Sequence, residues 1–108
     1  MAGTADTSPP AGRPLARLGP DSVGSLGASL PRWSVEGDRL VREVKFETYL
    51  AVLDFLTRLA GEAERLAHHP DVVWRYDRLE LVLTTHDVGG ISSLDVELAR
   101  IIDAMTPF

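Results

Sequence analysis

Residues 48–70 read T-Y-L-A-V-L-D-F-L-T-R-L-A-G-E-A-E-R-L-A-H-H-P, and the fold turns on this stretch. Tyr49, Val52, Leu53, Leu56, Leu59, Ala60, Ala63 and Leu66 recur at helical spacing. Thr48 stands where a hydroxyl can accept from the free N–H groups of a first turn, so a helix is predicted from there to about Ala67. The ring of Pro70 clashes with a helical residue before it, which pushes His69 toward extended backbone and ends the helix near His68.

Either side of this helix the pattern changes to that of strands. Trp33 to Val35 and Arg39 to Phe46 flank a tight turn at Gly37 and Asp38. Leu40, Val44 and Phe46 fall on one face of the second strand, with Arg42 interrupting them. Val72 to Tyr76 and Leu79 to Thr85 form a second pair around Asp77 and Arg78, and Leu79, Leu81 and Leu83 alternate with Glu80 and Val82. Gly89 and Gly90 make a flexible turn. Ser92 then starts a last helix with Leu94, Leu98, Ala99, Ile101, Ile102 and Met105 as its apolar side. Pro20 and Asp21 open a short first helix carrying Val23, Leu26 and Leu30, and Pro31 ends it. Gly24 and Gly27 each weaken that helix by about 1 kcal/mol relative to Ala. The order α-β-β-α-β-β-α predicts an α+β fold, a four-stranded antiparallel sheet with three helices packed on one face. Residues 1–19, rich in Pro, Gly and small polar residues, read as a disordered tail before one domain over residues 20–108.

The chain has 108 residues, 44% hydrophobic and 25% charged, which suits one soluble domain. A net charge of −5 gives no reason to expect a nucleic-acid partner. With no cysteine, thiol catalysis, disulfides and thiolate metal sites are excluded. No apolar run is long enough to span a bilayer, and no signal-peptide core is visible, so a cytoplasmic protein is expected.

All three histidines fall in one short stretch, His68 and His69 in E-R-L-A-H-H-P and His86 in L-T-T-H-D. Histidine titrates near neutral pH, so two imidazoles facing one cavity suit a reaction needing a proton donor and a proton acceptor. Glu64 lies four residues before His68 and would share its helix face, a spacing that a solvated ion pair also explains. His86, at a strand end, also reads as an ordinary polar residue. Ser92-x-x-Asp95 resembles a capping box, which alone would account for Asp95. Trp33 and Trp74 read as packing residues. Three histidines can hold zinc with one position open, but adjacent His68 and His69 point in different directions and lack the usual H-x-x-x-H spacing.

The run A-E-R-L-A-H-H-P-D-V-V-W-R-Y-D-R-L-E-L-V-L-T-T-H-D-V-G-G-I-S, followed by Asp95, closely resembles the pterin-4a-carbinolamine dehydratase family. The resemblance extends from about Leu26 to the C-terminus. It implies the same α+β fold and dehydration of 4a-hydroxytetrahydropterin to quinonoid dihydropterin in tetrahydrobiopterin recycling, with no metal or organic cofactor. By the same resemblance His68 and His86 are an acid/base pair, His69 holds the pterin, and Glu64 orients His68 or binds a polar ring edge. Asp95 supports the site, and Ala67, His68, His69, Thr84, Thr85, His86 and Asp87 line the pterin pocket. Homodimers or homotetramers are implied as well, in keeping with sheet edges that need protection. Arg32, Val72 and Leu94 depart from residues common in relatives. The alternative on the same scaffold is a non-catalytic protein-interaction or assembly module.

Overall fold

The structure, a computed structural model, describes residues 15–108. Of the tail expected over residues 1–19, residues 1–14 lie outside the described residues. Arg17 forms an antiparallel bridge with Ser92, and the Leu18 N–H donates to the Ile91 carbonyl at 2.8 Å, so ordered contacts begin before Pro20.

Two short helices, α1 (Pro20–Gly24) and α2 (Leu26–Ser29), replace the single first helix expected. Gly24 and Ser25 divide it; Leu26 and Leu30 are buried in the core, and half-buried Val23 packs against it. The strands are β1 (Ser34–Glu36), β2 (Arg39–Lys45), β3 (Asp71–Arg75) and β4 (Arg78–Leu83), antiparallel in the order β1-β2-β4-β3. Gly37, at φ 62°, takes the left-handed position in the β1–β2 turn that costs glycine least. Tyr76 takes φ 51° in the β3–β4 turn without that freedom. The next residue of that turn, Asp77, bonds Lys45 Nζ at 2.9 Å, which lowers its carboxyl pKa from the usual value.

Helix α3 (Tyr49–Leu66) buries Val52, Phe55, Leu59, Ala63 and Leu66. The stripe is rotated from the expected one: Phe55 lies at its centre, while Tyr49, Leu53 and Ala60 face outward. Thr48 Oγ1 accepts the Ala51 N–H at 3.0 Å. Thr48→Ala is expected to cost about 1 kcal/mol, read as a lower urea midpoint at unchanged slope.

Helix α4 (Ser93–Met105) completes the helical layer. Register explains the core: Leu40 faces Leu83, Arg42 faces Leu81 and Val44 faces Leu79, so all six side chains point toward the helices. Arg42, the interruption in the strand pattern, is buried there because Asp103 and Thr106 receive it at 2.6 and 2.8 Å. Asp103 Oδ1 also accepts the indole N–H of buried Trp33 at 2.9 Å. Among the described residues no helix is long and apolar enough to cross a membrane.

Candidate active site

The site begins at the end of α3. The Ala67 N–H bonds the Glu64 carbonyl and the His68 N–H bonds the Ala63 carbonyl, at 3.1 and 3.0 Å. This is the Schellman pattern, with Ala67 at φ 52° where glycine is usual. An alanine there costs about 1 kcal/mol. The turn takes His68 off the helix face and under α4, while His69 swings back along α3.

The partners follow from this turn and differ from the spacing argument. Glu64 Oε2 pairs with His69 Nε2 at 2.5 Å, not with His68, and both residues are exposed. His68 is buried, and its Nε2 meets Asp95 Oδ1 at 2.5 Å. The helical i,i+4 argument fails because α3 has already ended at Leu66.

Asp95 is fully buried and does two things at once. Its Oδ2 accepts the Ser92 N–H at 2.9 Å, while Ser92 Oγ accepts from α4 in return, which completes the capping box. The same Oδ2 accepts the Thr85 hydroxyl at 2.7 Å, and Thr85 Oγ1 also lies 2.7 Å from Ser92 Oγ. Among the described residues every buried side-chain polar atom has a partner. Thr85 joins this network to His86 by one peptide unit, about 3.8 Å between Cα atoms. Register brings the two segments together: Asp71 faces Val82 and Val72 faces Leu81, and beyond the strand ends His68 and Thr85 both meet the Asp95 carboxylate.

His86 opens a one-turn 3₁₀ helix (His86–Val88), closed by Gly89 at φ 69°. His86 and Asp87 are exposed, Thr84 is half-buried, and the Thr84 hydroxyl donates to the Asp38 carbonyl at 2.7 Å. The structure thus gathers His68, Thr85, Ser92 and Asp95 in one network, with His86 beside it and Glu64–His69 as a separate exposed pair. Trp33 and Trp74 pack as expected: Trp74 stacks on Tyr49 with centroids 4.7 Å apart. Among the described residues no group of three or more His, Asp or Glu side chains is placed to hold a metal ion.

Carboxylates hold Nε2 of both His68 and His69, and neither Nδ1 makes a hydrogen bond among the described residues. With Nε2–H donated to the carboxylate, Nδ1 is the atom left to exchange a proton. Sequence reasoning passed over Asp38, Arg39 and Asp71, which border a cleft with His86. They are ordinary turn and strand residues, and only the register across three strands brings them together.

The family described as pterin 4 alpha carbinolamine dehydratase matches residues 16–105. The chain belongs to that family. A dehydratase-family relative from Thermomicrobium roseum, named for pterin-4-alpha-carbinolamine dehydratase, is 43% identical over 86 residues, covering 80% of this chain and 92% of its own. A relative of the same name from Synechococcus is 47% identical, covering 75% of this chain and 87% of its own. A solved structure from Brucella melitensis, described as a transcriptional coactivator/pterin dehydratase, superposes with TM-score 0.78 at 31% identity. It covers 82% of this chain and 97% of its own.

Proposed function

We propose that this chain removes water from 4a-hydroxytetrahydropterin by histidine general acid–base catalysis. The observation that carries the proposal is the buried Asp95 carboxylate, which fixes His68 directly and reaches the His86 segment through Thr85. In the reaction the C4a–O bond breaks, the hydroxyl leaves as water after gaining a proton, N5 loses its proton, and a C4a=N5 double bond forms. Hydroxide is a poor leaving group, so a positioned acid and base contribute about 10²–10⁴-fold each. His68 and His86 serve as that pair. His69, oriented by Glu64, holds the ring. The product, a quinonoid dihydropterin, returns to the tetrahydro form by reduction, and the activity is proposed to serve tetrahydrobiopterin recycling in the cytoplasm. Exposed sheet edges at β1 and β3 suit a homo-oligomer.

The test is the ultraviolet time course of freshly generated 4a-hydroxytetrahydropterin with and without protein. Wild type is expected to accelerate dehydration, and His86→Ala, which removes an exposed side chain, to lose about 10²-fold in kcat with its fold intact. Absence of acceleration by folded wild type would sink the proposal. A second reading, a protein-interaction module, has one observation in its favour: Tyr49, Leu50 and Leu53 expose apolar surface on α3. It predicts partner binding unchanged in His86→Ala.

A further inference from the structure

We infer that Arg17 is a positioning residue for His86, a clasp over the turn that carries this histidine; this rests on the dehydratase reading above. The two histidines of the proposed pair are held differently. A buried carboxylate fixes the His68 ring. His68 and His69 account for every histidine side-chain hydrogen bond among the described residues, so the exposed His86 ring has none. Its place is set by the backbone of residues 85–90 alone. The Thr85 N–H donates to the Gly90 carbonyl at 2.9 Å across the base of the turn. Within it the Val88 and Gly89 N–H groups donate to the Thr85 and His86 carbonyls, each at 3.1 Å.

Arg17 closes over this turn from outside. Its backbone pairs with Ser92, just past the turn, and the Leu18 N–H holds the Ile91 carbonyl beside it. From there the side chain runs back over Gly90. A Cβ on Gly90 would stand 2.9, 3.0 and 3.2 Å from Nε, Cδ and Cγ of Arg17. Three successive atoms thus occupy the space that any side chain at this position would need, and Gly90 is buried beneath them. Beyond Gly90 the guanidinium donates Nη2–H to Asp38 Oδ1 at 3.2 Å. Asp38 is itself tied down, because its carbonyl accepts the Thr84 hydroxyl at 2.7 Å. Arg17 therefore spans from one foot of the His86 turn, at Gly90, to a residue bonded to the other, at Thr84.

Two further facts agree with this role. A left-handed backbone explains glycine at position 89 but not at 90, since Gly89 has positive φ and Gly90 does not. The room taken by Arg17 does explain Gly90. The Arg17–Asp38 pair is also exposed on both sides, and such surface pairs add little to stability in water. Its consequence is geometric: a shift of about 1 Å in a catalytic group can cost about 10²-fold in rate.

The experiment measures dehydration of 4a-hydroxytetrahydropterin, and amide hydrogen exchange at Val88 and Gly89, in wild type, Arg17→Ala, Gly90→Ala and the double variant. Each single variant is expected to lower kcat about 10-fold at unchanged KM and to speed exchange in the turn. Urea midpoints should stay near wild type. The double variant should lose no more than either single one, because both remove the same contact. Wild-type kcat in Arg17→Ala overturns the inference, as do losses that multiply in the double variant. A fall in kcat with exchange in the turn unchanged overturns it as well. So does a lowered midpoint with exchange faster throughout the domain, which marks a role in the fold alone. If folded wild type is inactive, the dehydratase reading falls, and exchange in the four proteins still decides whether Arg17 holds the turn.

Discussion

Asp95→Asn is expected to stay folded and to lose about 10²–10⁴-fold in kcat. Asparagine can still accept from the Ser92 N–H and the Thr85 hydroxyl, so the cap of α4 survives. Toward His68, however, the side chain now presents an amide N–H where a carboxylate oxygen stood. Nε2 must then become the acceptor, the ring proton moves to Nδ1, and the protonated ring loses its counter-charge. Asp95→Ala goes further. It leaves the Ser92 N–H, the Thr85 hydroxyl and the His68 ring without their buried acceptor, at an expected cost of about 3–5 kcal/mol. A domain stable by about 5–15 kcal/mol then approaches its unfolding threshold. Urea titration and single-turnover rates on the two variants separate chemistry from stability. An Asp95→Asn protein with wild-type kcat would show that His68 is held there for structure alone.

Arg42→Ala is expected to destabilise the domain by about 3 kcal/mol and to leave kcat unchanged. Burial is the main influence pulling the Arg42 pKa down, and Asp103 pulls it back up. The guanidinium nonetheless stays charged, so its removal strands Asp103 with the Trp33 indole as its remaining side-chain partner among the described residues. The Thr106 hydroxyl loses a donor as well. The contact sits near the C-terminal end of α4, eight residues beyond Asp95 and so about 12 Å away. That distance is why activity should be spared. A denaturation midpoint matching wild type, or a fall in kcat in the folded variant, would contradict this account.

Much of this architecture is legible in the sequence because it is local. The cap at Thr48, the alternation of Leu79, Leu81 and Leu83, the stop imposed by Pro70 and the Ser92–Asp95 box are each written within a few residues. What escapes a local reading depends on direction or on distance. Glu64 and His68 share a spacing, but the left-handed turn at Ala67 exchanges their partners. Arg42 breaks a strand pattern because its acceptors lie 61 and 64 residues further along the chain. The dual use of Asp95 is half visible: the cap is a sequence motif, whereas the contact with His68 exists only after β4 and α4 have docked.

That shared carboxylate also bears on how the protein comes into being. Helix α4 has 13 residues, a length at which an isolated helix is marginal in water. Its first turn is secured by the same side chain that orients His68. Synthesis runs from the N-terminus, so both hairpins and all three histidines leave the ribosome before α4 does. For that interval the nascent chain carries the histidines proposed for proton transfer without the carboxylate that holds His68 in the folded domain. On the proposed mechanism, onset of turnover therefore marks the end of folding.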